Sequence, residues 1–287
     1  MQKIGIDLGG TKIEGVLLNA EGQEIKRNRV STKSEEGYDA IVGRICDMVL
    51  DLKDDPEITI GICTPGTIDP TSGRMKNSNT VCLIDQPLKE DIEDEIGQNI
   101  FMENDANCFA LAEAVMGAGK GHKVVFGVIL GTGVGGGIII NGNIHHGRAH
   151  IAGEWGHHTL YPRGRKCYCG QTGCVEAYIS GPALEARFTE LTGDKKIVTE
   201  IAENPPEEWK EELIECFGIA LSNVINILDP DVVVLGGGVS KCDLLYTEGA
   251  ASVHQHVFSP ISDTPIIQHA LGDSAGVYGA AWLGESS

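Results

Sequence analysis

The chain has 287 residues, 41% of them hydrophobic, enough for one large core or two of ordinary size. Against 22 Lys and Arg stand 41 Asp and Glu, a formal charge of −19, which argues against nucleic acid or an acidic membrane as partner. There is no long apolar run that could span a bilayer, MQKIGIDLGG does not read as a signal peptide, and the expected location is cytoplasmic.

In chain order, KIGIDLGGTKIEGVLLNAEG predicts strands at Lys3–Leu8 and Ile13–Leu18 around a glycine turn, then a third strand near Glu24–Val30. Tyr38, Ile41, Ile45, Met48, Val49 and Leu52 fall at helical spacing. ITIGICTPG reads as a buried strand ending in Pro65-Gly66, Pro87–Ile96 as a helix, and NIFMENDA as a strand that ends in polar residues. Ala106–Met116 is small and apolar enough for a buried helix. GAGKG at 117–121 marks the expected domain boundary. VVFGVILGTGVGGGIIINGNI then repeats the strand, glycine turn, strand theme. Helices are expected over SGPALEARFTELTG, from NPPEEW to about Asn226, over Tyr246–Phe258, and at the C-terminus. Intermixed strands and helices make the class α/β, with two related domains facing a cleft. The expected division is residues 1–117, completed by the C-terminal helix 272–287, and a larger domain at 118–271 with a metal-binding insertion.

Three glycine turns follow strands: DLGGTK (7–12), LGTGVGGG (130–137) and LGGGVS (235–240). Such turns aim backbone amides inward and can cradle phosphate. No GxxxxGK[ST] occurs, and GTGVGG precedes a strand-like run instead of a helix, so neither a Walker loop nor a dinucleotide fingerprint is present. Asp7 ends a strand beside its glycines, where a carboxylate could hold Mg²⁺, with the Thr11 hydroxyl and Lys12 charge toward phosphate.

Nine scattered cysteines, an odd number, read as free thiols plus one metal site, with Cys46, Cys63, Cys108 and Cys216 buried and inert. His157, Cys167, Cys169 and Cys174 supply three thiolates and an imidazole, a complete tetrahedral zinc shell. A filled shell leaves no place for water, so the zinc is expected to be structural. It would pin Glu154, Glu176 and the second nitrogen of His157 into one wall suited to sugar hydroxyls. In FMENDANCF, Asp105 lies at a strand end just before a helix. It suits a group that accepts a proton from a hydroxyl, with Asn104 beside it for a neighbouring hydroxyl. Spacing does not separate Asp105 from Asp7 as that base.

DLGGTK, PGTID, ENDANCFALAEA, ILGTGVGGG, GEWGHH, CYCGQTGCVE and NILDPDVVVLGGG together resemble the ROK family (repressor, open reading frame, kinase) over nearly the whole chain. The resemblance implies the actin/hexokinase-like (ribonuclease H-like) fold and transfer of the ATP γ-phosphate to a sugar, in a homodimer. It implies that Asp7, Gly9, Gly10, Thr11 and Lys12 face ATP phosphate and Mg²⁺. Gly131, Thr132 and Gly133 would form a second phosphate loop, with Gly236, Gly237 and Gly238 near adenosine. Pro65, Gly66, Asn79, Asn104, Glu154, His157 and Glu176 would meet the sugar, Asp105 would be the base, and His157, Cys167, Cys169 and Cys174 the zinc ligands. The family's repressors carry an N-terminal winged helix, for which the opening hairpin leaves no room. KNSNTVCLIDQPL and HALGDSAGVYGAAWL look most like the bacterial fructokinase/mannokinase branch, which implies fructose or mannose phosphorylated at the 6-hydroxyl. N-acetylglucosamine kinases and glucokinases share nearly all these motifs, and Asn77, Asn79 and Asp85 lie in the expected specificity loop. The reading from another class is a non-catalytic sugar-binding regulator.

Overall fold

The computed structural model describes residues 1–285, so the last two residues of the segment expected at 272–287 lie outside the described residues. The first sheet is built from β1 (Lys3–Leu8), β2 (Lys12–Leu18), β3 (Glu24–Ser31), β4 (Thr59–Thr64) and β7 (Phe101–Asn104), in the order β3-β2-β1-β4-β7. A two-strand hairpin, β5 (Thr67–Ile68) and β6 (Met75–Lys76), stands apart from it. β1 and β4 run parallel and are buried on both faces, which is why KIGIDL and TIGICT are apolar runs without strict alternation. On one face, α1 (Tyr38–Leu52) presents the regularly spaced Ile41, Ile45, Met48, Val49 and Leu52 to the core; α2 (Leu88–Ile96) adds Leu88 and Ile92.

The glycines of these two strands have a steric cause. Gly5 and Gly61 are partners in the β1–β4 register. A Cβ on Gly5 would stand 2.1 Å from the Val277 carbonyl oxygen, and one on Gly61 1.8 Å from that of Ala280. Both carbonyls belong to α9 (Ala275–Trp282), which therefore lies on the sheet at backbone contact. α3 (Asp105–Val115) packs beside it. These elements form one compact unit of residues 1–117, 142–152 and 271 onward. Its middle segment starts with a short strand, β10 (Asn143–Ile144).

The other unit comprises residues 118–141 and 153–270. Its four strands, β8 (Val124–Leu130), β9 (Val134–Ile140), β11 (Val232–Gly236) and β12 (Ile266–Gln268), follow the order β9-β8-β11-β12 within a five-stranded sheet. Phe126, Val128, Trp155, Phe217, Leu221 and Val233 are central to its core. The helices are α4 (Glu176–Ile179), α5 (Gly181–Thr192), α6 (Val198–Glu203), α7 (Glu207–Leu228) and α8 (Glu248–His256). The six-residue α6 is too short to announce itself by periodicity. Among the described residues, no helix is long and apolar enough to cross a membrane.

Candidate active site

In the first unit, the DLGGTK turn closes through the Gly9 N–H to the Lys12 carbonyl at 2.9 Å. The Thr32 hydroxyl also donates to the Gly9 carbonyl at 2.6 Å. Gly10 and Thr11 remain exposed. Asp7 ends its strand against Cys63, and a Cβ on Gly276 of α9 would come 3.1 Å from Asp7 Oδ2. Burial pushes the Asp7 carboxyl up to about 6. The Cys63 thiol, hydrogen-bonded to it, and Lys12 pull it down, while Asp105 and Glu14 raise it. Lys12, expected to be given wholly to phosphate, has its Nζ 3.0 Å from Glu14 Oε2. Glu14 is 1% exposed and also binds Arg29 at 2.8 Å and Arg27. The register explains this cluster, since Glu14 faces Arg29 across β2 and β3.

Asn104, not Asp105, caps α3: its side chain accepts the Asn107 N–H at 2.8 Å. Asp105 is the first helical residue, exposed, with Oδ1 accepting the Ala106 N–H at 2.8 Å at the positive end of the helix. Gly66 is buried, its carbonyl taking the Thr64 hydroxyl at 2.9 Å. Asn79 is exposed between Ser78 and Thr80, both buried. Two residues that the sequence did not single out, Glu103 and His146, form an ion pair at 2.6 Å beside Asn104.

In the second unit, Gly131 N–H to Gly133 carbonyl at 2.9 Å makes the turn between β8 and β9, and leaves Thr132 exposed. Glu176, at 8% exposure the first residue of α4, accepts the Val134 N–H through Oε2 at 2.8 Å. One oxygen of this expected sugar ligand therefore braces the expected phosphate turn. The GEWGH segment lies on the backbone of β9. Gly153, at φ 93°, would bring a Cβ to 2.3 Å from the Gly136 carbonyl oxygen, and Trp155 Nε1 donates to the Gly135 carbonyl at 2.9 Å. Thus the VGGG run serves close approach, and Glu154 emerges exposed from it. At the end of β11, Gly237 takes φ 82° and accepts from the Ser240 hydroxyl at 2.7 Å; Gly238 is exposed.

The ligating atoms of His157, Cys167, Cys169 and Cys174 all lie within 4.8 Å of one another. Cys169 Sγ to Cys174 Sγ is 3.6 Å, and Cys167 Sγ to His157 Nδ1 is 3.7 Å. A tetrahedral Zn–S bond near 2.3 Å implies S···S edges of about 3.8 Å, so this donor set fits a metal ion. Nδ1 is the nitrogen turned to the thiols, and Nε2 faces the Tyr168 hydroxyl at 3.3 Å. Arg165 is engaged with Glu212 at 2.5 Å and over the Tyr178 ring at 4.6 Å.

A family model described as the ROK family matches residues 3–286. The chain belongs to the ROK family. An N-acetyl-D-glucosamine kinase of Vibrio cholerae is 37% identical to it over 97% of this chain and 98% of its own. A ROK hexokinase of Thermus thermophilus superposes with a TM-score of 0.88 at 30% identity, over 99% of this chain and 97% of its own. A ROK glucokinase of Streptomyces griseus, solved with glucose and AMPPNP, gives 0.80 at 30% identity over 99% of both chains. These likenesses establish the α/β actin/hexokinase-like fold.

They also correct the branch. Full-length relatives from Vibrio, Photobacterium, Aliivibrio, Yersinia and Histophilus are N-acetyl-D-glucosamine kinases, so the placement in the fructokinase/mannokinase branch, and the fructose or mannose that followed from it, are overturned. Of the two stretches that suggested that branch, the C-terminal one is largely scaffold. HALGDSAGVYGAAWL is the helix on the glycine floor of the first sheet, and in KNSNTVCLIDQPL Ser78 and Thr80 bond to each other to close their loop. Residues held by packing carry little information about a sugar.

Proposed function

We propose that this ROK-family chain is an ATP-dependent sugar kinase that phosphorylates N-acetyl-D-glucosamine at its 6-hydroxyl. The observation that carries the sugar is identity of 37% with an N-acetyl-D-glucosamine kinase over nearly the whole of both chains. In this reading Asp105 accepts the proton of the attacking hydroxyl. It is exposed and is the first residue of the helix, at the positive end where a carboxylate is favoured. Asn104, Glu154, His157 and Glu176 hold the remaining polar groups of the sugar. Pro65, Gly66 and Asn79 flank it. The amides around Gly9–Thr11 and Gly131–Gly133 receive phosphate, and Gly236–Gly238 adenosine. Mg²⁺, when bound with ATP, neutralises phosphate charge; Asp7 is the carboxylate of this chain suited to it. Zinc in the His157, Cys167, Cys169 and Cys174 set is structural, because four protein ligands close its shell.

The test is ADP release with N-acetylglucosamine, N-acetylmannosamine, glucose, mannose and fructose. The expected result is the highest kcat/KM on N-acetylglucosamine. A preference for glucose would replace the sugar. Binding without ADP release on any of them would turn the chain into a sugar-binding regulator.

A further inference from the structure

Glu103 lies opposite Cys63 in the β4–β7 register and is 8% exposed. A carboxylate so buried costs free energy unless every oxygen is used. Here Oε1 accepts the Asn104 N–H at 2.8 Å and Asn107 Nδ2 at 3.1 Å, while Oε2 meets His146 Nε2 at 2.6 Å. One side chain thus joins the end of β7, the first turn of α3 and the 142–152 segment. Burial alone would raise the Glu103 pKa; His146 first, then Asn104 and Asn107, hold it below the usual carboxylate range.

The histidine's own segment is fastened at the same point. The His146 carbonyl accepts the Ala152 N–H at 3.2 Å, closing a small loop. The His146 and His150 rings lie 5.0 Å apart, and the Ala149 carbonyl takes Lys76 Nζ at 3.3 Å. All these residues belong to the first unit, although the chain on either side of 142–152 belongs to the second.

We propose that His146 is a positioning residue for Asp105, acting through Glu103 to fix the Asn104–Asp105 step. The inference rests on Asp105 being the base of the kinase reaction. The chain of contacts is short: His146 holds one carboxylate oxygen, and the other holds the Asn104 amide and the side chain of Asn107. The Asn107 N–H in turn meets the Asn104 cap. Asp105 is the next residue along, so freedom in the Asn104 peptide becomes displacement of the catalytic carboxylate.

The test compares His146→Ala, His146→Gln and Glu103→Ala, alone and with His146→Ala, in the full-length chain. His146→Ala is expected to lower kcat by roughly 10-fold to 100-fold, the cost of a misplaced group, with KM for ATP unchanged. His146→Gln, whose amide can still donate to Oε2, is expected to recover most of that loss. The double variant should be no slower than Glu103→Ala alone, because both changes cut one linkage. Wild-type kcat in His146→Ala, or a Gln variant no better than Ala, would overturn the proposal. Hydrogen exchange gives a readout that needs no substrate. His146→Ala should speed exchange at Asn104, Asn107 and residues 142–152, and unchanged exchange there would overturn the linkage. A wild-type chain that turned over no sugar would instead remove the kinase reading, and exchange would still decide whether His146 holds Glu103.

Discussion

The two units fix their chemically important side chains by different means. In the first, Asp7 and Asp105 stand at ends of core elements, and α9 lies on Gly5 and Gly61 with backbone touching backbone. No side chain intervenes there that could relax, so Asp7 on β1 is seated by the core itself. In the second, the stretch from His157 to Cys174 lies outside regular strands and has two isolated bridges, Thr159 with Cys174 and Lys166 with Thr172. Backbone hydrogen bonds also tie it, among them Leu160 N–H to the Gly173 carbonyl and Gly173 N–H to the Arg165 carbonyl, both at 2.7 Å, and four possible ligand atoms gather within 4.8 Å. The acids of the first unit are therefore held by packing, while the second unit offers a donor set that a metal ion could brace, and different perturbations should reach each.

The sharpest way to break the comparison is within the packed half. Asp105→Asn keeps the size and seat of the side chain but removes its capacity to accept a proton. It should reduce kcat by about 10³-fold. Sugar binding measured by calorimetry should persist, since the variant disturbs no contact of the core. Near-normal turnover would strip Asp105 of its role. The donor set of the second unit calls for another treatment. Removal of metal, or Cys169→Ser, should weaken sugar binding and raise proteolytic sensitivity between His157 and Cys174, with the first unit intact by hydrogen exchange. The size of that loss reflects how much of the wall around Glu154 and Glu176 the metal alone holds. Elemental analysis should find about one zinc per chain; a metal-free chain that binds sugar normally would show that packing suffices in both units.

What could be read from the amino-acid order follows the same divide. α1 is legible to its ends because Tyr38 to Leu52 keep helical spacing against one core. The gathering of His157, Cys167, Cys169 and Cys174 is legible because sulfur and imidazole at short spacing have few other uses. Contacts made across register or at long range are not. Glu14 gathers Lys12, Arg27 and Arg29 because β2 and β3 pair as they do, and nothing in DLGGTK announces it. Glu103 and His146 are far apart in the chain and neither belongs to a recognisable motif. Glu176 illustrates a subtler limit: its spacing from Cys174 suggested the sugar wall, while its hydrogen bond to Val134 is visible only in three dimensions. The sugar itself was misread in part because one of the stretches chosen to judge it, HALGDSAGVYGAAWL, is occupied with packing.

The smallest effect concerns Asp7 and refines the account of the packed half. Its carboxyl is raised from 3.8 to about 6, chiefly by burial. Below about pH 4 the folded and unfolded chains are both protonated there, and this group imposes no penalty. As pH rises through 6, the folded chain must release a proton it holds more tightly than the unfolded chain does. Stability falls across that window by up to about 3 kcal/mol. Asp7→Asn removes the titration. Without nucleotide or Mg²⁺, the variant should melt above wild type at pH 8, and the gap should close at pH 4, while its ATP turnover is lost. An equal difference at both pH values would mean that the buried charge is not what Asp7 costs the fold. The melting gap must also be indifferent to zinc, because packing alone sets the environment of Asp7. A gap that changed on chelation would mean that the two means of support are not separate.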